Sequence, residues 1–179
     1  FTKALKKDRY LESIQAHFVN LPSYRRFPKD DEFERDIQTR DLYNFRSRSY
    51  WLRRFENFGR KERVSVDEYT IEHIMPQNED LSQAWQTALG LEWQRVHDTW
   101  LHTLGNLTLT AYNPELSNHP LERKQGIFDD SGLKMNRTIA GAKSCAVPSG
   151  SARRLAIACS SALAKSLAIT SILPLTPNL

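Results

Sequence analysis

Cysteine is almost missing: Cys145 and Cys159 are the only two in 179 residues, and no CxxC or Cys/His ligand spacing occurs. A disulfide framework and a structural zinc site are therefore excluded from the expectations. Long apolar runs are missing too. The stretch from Leu155 to Leu175 comes nearest to a membrane span, but Lys165 lies at its middle and five Ser or Thr residues dilute it, so no membrane partner is expected. The chain opens on Phe1 without a basic, apolar, small-residue leader, and it reads as a fragment of a longer cytoplasmic protein.

Hydrophobic residues make up 40%, charged residues 26% and aromatics 10%, a balance that excludes wholesale disorder. The small net charge of +4 hides an uneven distribution. Residues 1–63 carry 16 basic and 10 acidic side chains, residues 64–138 carry 5 and 11, and residues 139–179 carry 4 and none. A basic lobe beside an acidic one suits a polyanion-binding surface next to a metal-binding pocket. Three regions follow: a helical lobe over 1–63, a mixed unit over 64–138, and a tail over 139–179. Ala, Ser and Leu supply 22 of the last 40 residues, where no acidic or aromatic residue occurs. That tail is open between non-native sequence from a shifted reading frame or fusion scar, a native surface helix and a membrane span.

Apolar spacing at Leu5, Leu11, Ile14 and Phe18 predicts a helix over about 4–18, ended by Pro22. A second helix should start after Pro28 at Asp30 and Asp31, with Phe33, Ile37, Leu42 and Phe45 along it. A third, over about 45–58, turns Trp51, Leu52, Phe55 and Phe58 inward and ends at Gly59. From Val64 the β-formers Val66, Tyr69 and Ile71 predict a short strand ending at His73. One or two helices over 81–100 then connect to a strand from Leu104 to Thr110, and Pro120 starts a last helix over 121–128.

Arg46, Arg48, Arg53, Arg54, Arg60, Lys61 and Arg63 are interleaved with Tyr43, Tyr50 and Trp51. Such a mixture can track a phosphate backbone, and it can equally be a solvated helix face whose arginine stems cover apolar surface.

Chemistry concentrates in Tyr69-Thr-Ile-Glu-His-Ile-Met-Pro-Gln77, Leu104-Gly-Asn-Leu-Thr-Leu-Thr110 and Asn113-Pro-Glu-Leu-Ser-Asn118. A regular strand puts Glu72 and His73 on opposite faces, whereas a bend at its end would let both approach one phosphate. Phosphodiester hydrolysis needs an activated water and charge neutralisation at phosphorus. An imidazole such as His73 can take the water proton near neutral pH, and a hard cation such as magnesium takes oxygen ligands of the kind Glu72, Asn113 and Asn118 offer.

At these residues the chain resembles the His-Me finger (HNH, ββα-metal) nucleases, and more closely the C-terminal nuclease domain of GmrSD-type modification-dependent restriction enzymes. The matching positions run from about Tyr69 to Asn136: Glu72, His73, Pro76, His102, Leu104 to Leu109, Asn113, Ser117, Asn118 and Lys124. Tyr50-Trp-Leu-Arg-Arg-Phe-Glu56 is similar to the helix that precedes the motif in that family.

The resemblance implies an α+β fold, a helical N-terminal lobe followed by a ββα-metal unit with a helical insertion between its strands. It implies a DNA endonuclease using Mg2+ or Mn2+ in a type IV restriction system, inside a bacterial or archaeal cell. In that system the target is phage DNA bearing glucosylated hydroxymethylcytosine, and a ParB-like nucleotide-hydrolysing domain lies outside this chain. His73 becomes the general base, Glu72 a metal ligand and Asn106 the brace of the histidine loop. Either Asn113 or Asn118 is the further ligand, the other capping a helix. Lys124 contacts phosphate; Arg53 and Arg54 are candidate DNA-backbone contacts from the basic stretch of the lobe, not from the resemblance. His102 orients the Asn106 turn, contacts substrate or is structural. Leu121 replaces a usual aromatic, and the tail lacks the family's Trp. The rival reading is a non-catalytic nucleic-acid-binding or assembly module that kept the fold; metal binding near His73 separates the two.

Overall fold

A computed structural model describes residues 5–142. The tail beyond residue 142, with Cys145, Cys159 and the apolar stretch from Leu155, lies outside the described residues. The chain divides into two compact units, residues 1–36 and 37–179, and helix α2 runs across that boundary.

In the first unit, α1 (Tyr10–Val19) starts later than its apolar spacing predicts. The Ser13 hydroxyl donates to Tyr10 O at 2.9 Å and accepts Lys6 N–H at 3.3 Å, so the charged run before Tyr10 stays a turn. None of its residues is buried. At its end both the backbone N–H and the side-chain amide of Asn20 donate to Ala16 O. The chain passes Pro22, and Phe27 N–H folds back onto Phe18 O at 2.9 Å. Helix α2 (Asp30–Thr39) has Asp30, Asp31 and Glu32 in its first turn, where the helix dipole favours negative charge. Glu32 also accepts Lys29 N–H at 2.9 Å.

The second unit is α+β. Helix α3 (Arg48–Asn57) is followed by β1 (Thr70–His73), α4 (Gln83–Leu89), α5 (Trp93–Trp100) and β2 (Leu107–Thr110). Then come α6 (Asn113–Leu116), α7 (Leu121–Asp129) and α8 (Lys134–Ala140). Residues 37–63, grouped by composition with the basic N-terminal stretch, pack in this unit: α3 lies against α8, and α8 against both α7 and β2. Leu52, Leu107, Leu109, Leu116, Phe128, Leu133 and Met135 form the core, with Phe55 beside them.

The two strands are antiparallel, pairing Thr70 with Thr110, Ile71 with Leu109, Glu72 with Thr108 and His73 with Leu107. Both begin later than β-propensity suggests. Val64 spends its backbone on the Asn57 side chain, which accepts Val64 N–H at 2.7 Å and donates to Val64 O at 3.1 Å. Tyr69 N–H closes a turn onto Val66 O, so pairing starts only at Thr70. Likewise Leu104–Asn106 is a 3₁₀ turn, with Asn106 N–H on Thr103 O, and β2 starts at Leu107.

Leu and Thr alternate along β2, and all four residues are buried. Thr108 donates to Asn136 Oδ1 at 2.5 Å and Thr110 Oγ1 accepts Tyr112 N–H at 2.9 Å, so both hydroxyls are satisfied within the protein. Asn136 also donates to Leu109 O and Ser131 Oγ, tying α8 to the strand. Glu56 ties α3 to the same helix: its wholly buried carboxylate accepts Lys134 N–H at 2.7 Å and Met135 N–H at 2.9 Å, and pairs with Arg60. Those amides belong to the first turn of α8, where a helix leaves N–H groups unpaired.

Candidate active site around His73

His73 ends β1, and the loop after it is pinned on several sides. Asn106 accepts Met75 N–H at 2.6 Å and donates to Met75 O at 3.1 Å and Leu101 O at 2.8 Å. Its own carbonyl accepts Ile74 N–H at 2.9 Å. From α5, the buried His97 donates Nε2–H to Pro76 O at 2.9 Å. A primary amide suits this position because it offers a donor and an acceptor together. The sequence motif identifies Asn106; His97 carries no motif and is found only once α5 packs.

The imidazole of His73 is buried, 5% exposed. Its Nε2 lies 3.2 Å from His102 Nδ1. Tyr43 meets both rings, edge-on to His73 with centroids 4.5 Å apart and stacked on His102 at 5.2 Å. Burial pushes His73 down to about 4, the charges of His102 and Lys124 add to this, and Asp41 opposes it. The base candidate is thus neutral over the physiological range. Asp41 carries no motif, and Tyr43, marked in the sequence only as an aromatic of the basic stretch, packs here against the two imidazoles instead.

The register turns Glu72 to the face of the hairpin opposite His73, beside Thr70, Thr108 and Thr110. There Glu72 Oε1 accepts a hydrogen bond from Lys124 Nζ at 2.7 Å, and the same ammonium donates to His73 O at 2.9 Å. Lys124, expected at phosphate, has no exposed surface and is turned inward by these two acceptors. Burial pushes the Glu72 carboxyl up and the Lys124 amine down, and each partner's charge opposes the other's shift.

Asn113 starts α6 on that same face, donating Nδ2–H to Thr70 Oγ1 at 2.5 Å. Its Oδ1 is buried and has no hydrogen-bond donor. Asn118 is exposed and makes no hydrogen bond among the described residues. No group of three or more His, Cys, Asp or Glu side chains able to hold a metal occurs among the described residues. A cation here would therefore rest on one carboxylate, amide oxygen and water. The donorless Asn113 Oδ1 and the Glu72 carboxylate are hard oxygen donors that fit magnesium or manganese.

Arg53 and Arg54 stand apart from this cluster. They line a groove of about 510 Å³ with Tyr50, Phe58, Arg60 and Arg63 at the end of α3. Arg53 is paired with Asp67 at 2.6 Å and Arg60 with Glu56, whereas Arg54 and Arg63 have no ion-pair partner among the described residues.

Among the described residues no helix is long and apolar enough to cross a membrane. A family model described as GmrSD restriction endonucleases, C-terminal domain, matches residues 27–154. No curated protein and no solved structure matches the chain.

Proposed function

The chain belongs to the family of C-terminal domains of GmrSD restriction endonucleases, and from that premise we propose that it is a DNA-cutting unit that hydrolyses phosphodiester bonds with a divalent cation. The observation that carries the reading is His73: a neutral imidazole at the end of β1, next in sequence to Glu72, followed by a loop that Asn106 and His97 hold fixed.

In this reading residues 64–138 are a His-Me finger unit, with α4 and α5 inserted between its strands. His73 takes the proton of the attacking water, and its depressed basicity keeps the accepting form populated at working pH. Glu72 and Asn113, on the hairpin face opposite the His73 ring, would hold magnesium or manganese, which would offset charge on the phosphate and the departing oxygen. Asn113 is preferred to Asn118 because its Oδ1 is buried without a donor while Asn118 faces solvent. Lys124 fixes the Glu72 carboxylate and the His73 carbonyl. The groove arginines, Arg53 and Arg54 among them, take the DNA backbone. The wider system is a type IV restriction system against phage DNA in a bacterial or archaeal cytoplasm. A ParB-like nucleotide-hydrolysing domain there supplies coupling and recognition of the modified base.

The second reading, a nucleic-acid-binding or assembly module without catalysis, is favoured by the regular pairing that sends Glu72 and the His73 ring to opposite faces of the hairpin. Lys124 already neutralises Glu72 without a metal.

Nicking of supercoiled plasmid and of glucosylated phage DNA, with magnesium or manganese, separates the two. The parent chain should nick only with metal, and His73→Ala, folded by circular dichroism, should be slower by about 100-fold or more. A folded parent that binds DNA and cuts neither substrate supports the second reading. Manganese titration of Asn113→Ala and Asn118→Ala should weaken binding only in the former.

A further inference from the structure

His73 and His102 share one hydrogen bond between ring nitrogens, and a neutral imidazole has one donor and one acceptor nitrogen. Only one proton can sit between His73 Nε2 and His102 Nδ1, 3.2 Å apart. If His102 supplied it, His73 would carry its own proton on Nδ1 and neither nitrogen would have a free lone pair. If His73 supplies it, Nδ1 is bare, and Nδ1 has no hydrogen-bond partner among the described residues. We propose that His102 is a positioning residue for His73: its Nδ1 accepts the Nε2–H of His73, fixing that tautomer and leaving His73 Nδ1 as the atom that takes a proton from water. The direction of the bond rests on His73 being the base; the contact itself does not.

For His102 to impose a tautomer, its own ring must be held, and the segment before α3 does this. Tyr43 stacks on the His102 ring with the planes 14° apart, and its edge meets His73. Leu42 N–H and Tyr43 N–H both donate to His102 O, at 2.8 and 3.2 Å. The Asp41 carboxylate accepts Asn44 N–H and Nδ2–H, which closes the turn. Arg48 covers the outer side of Tyr43, its guanidinium carbon 4.8 Å from the ring centroid and its Nη1 donating to Tyr43 O at 2.7 Å. Residues 41–48 are thus a wall of the site although they lie outside the strand motifs. A ring stacked on Tyr43, on a backbone held by two hydrogen bonds, keeps its Nδ1 facing His73 Nε2, and with the His102 proton on its own Nε2 that nitrogen is an acceptor only.

The test is the tautomer itself. In the ¹⁵N-labelled full chain at neutral pH, long-range ¹H–¹⁵N correlations of the imidazoles should show His73 protonated on Nε2. His102→Asn, whose amide can still face Nε2, should keep that tautomer. His102→Leu should give a mixture, and its nicking rate should fall on the order of 10- to 100-fold at unchanged KM, with rate recovered in His102→Asn. Tyr43→Leu should move in the same direction as His102→Leu, and it serves as the probe if His102→Leu does not fold. A His73 protonated on Nδ1 in the parent, or a tautomer untouched by both His102→Leu and Tyr43→Leu, overturns the proposal. Because the spectrum does not depend on turnover, a correct tautomer in a protein that cuts no DNA would count against the nuclease reading alone.

Discussion

Lys124 and Glu72 meet on the hairpin face away from the His73 ring, Nζ to Oε1 at 2.7 Å, and the same ammonium reaches the carbonyl of His73 at 2.9 Å. One buried positive charge from α7 therefore fixes two adjoining residues of β1, a carboxylate and the backbone of the candidate base. A lysine with no exposed surface is a poor partner for a phosphate arriving from solvent. It is a strong device for holding the strand end still, because its alternatives in the interior are costly.

The first expectation concerns that pair. Lys124→Met leaves the Glu72 carboxylate in the interior without its cation and should lower stability by about 3–5 kcal/mol in urea unfolding. Adding Glu72→Gln removes the stranded charge and should recover most of the loss. A single variant within about 1 kcal/mol of the parent would mean that the pair is solvated.

The His73 shift sets a pH dependence. Its value is about 4 in the folded chain against 6.5 for the unperturbed group. Between those values the unfolded chain binds more protons, so stability must rise with pH across that window. The contribution is complete above about 6.5 and is lost as pH falls toward 4, on the order of 3 kcal/mol at most. Thermal melts of the parent and His73→Gln should converge as pH falls through this window, since carboxylate effects are common to both. Nicking should likewise persist at mildly acidic pH, where an ordinary imidazole is protonated.

Glu56 carries no motif, yet it receives the first amides of α8 and binds Arg60. Glu56→Ala strands two buried N–H groups and should cost about 2–4 kcal/mol. Glu56→Gln, which keeps an acceptor oxygen, should cost about half as much. Hydrogen exchange should show the loss first in α8.

Salt dependence tests the groove. Arg54 and Arg63 have no ion-pair partner among the described residues, whereas Arg53 and Arg60 each face a carboxylate. In a His73→Ala background, Arg54→Ala with Arg63→Ala should weaken duplex binding and reduce the slope of log affinity against log salt by about 2. Arg53→Ala alone should change the slope less. Equal slopes in the parent and the double variant would assign DNA contact elsewhere.

The sequence by itself determined most of the elements, though not α6 or α8, and the residue types available at the site. Period-3.6 spacing located α2 and α3, Pro120 marked the start of α7, and local β-propensity located both strands. The Glu72-His73 and Leu104-Gly-Asn106 motifs marked the loop and the side chain that braces it, because that contact uses a residue type chosen for its donor and acceptor pair. Whatever depended on where chains meet was not legible. Val64 reads as strand, yet the Asn57 side chain holds its backbone groups before a partner strand can. Nor does the alternation of Leu and Thr in β2 reveal that Asn136 and Tyr112 N–H satisfy both threonine hydroxyls in the interior.

Lys124 and Asn113 show the same division at the site. Both residue types were legible as candidates, but a lysine on paper is an exposed cation, and only the approach of α7 to β1 buries it against Glu72. Asn113 and Asn118 were both open as the further ligand, Asn113 by its distance from Asn106 and Asn118 by its place at the helix entry; the structure buries the Asn113 Oδ1 without a donor and leaves Asn118 exposed. Tyr43 was legible only as part of the basic and aromatic stretch, and Asp41 and His97 carried no motif, since their roles here arise from interactions across 30, 61 and 21 positions of chain, to His73, His102 and Pro76. Local sequence sets propensity and functional-group identity. Burial, and with it basicity, charge pairing and hydrogen-bond satisfaction, is a property of neighbours brought together by folding, and that the tertiary structure alone decided.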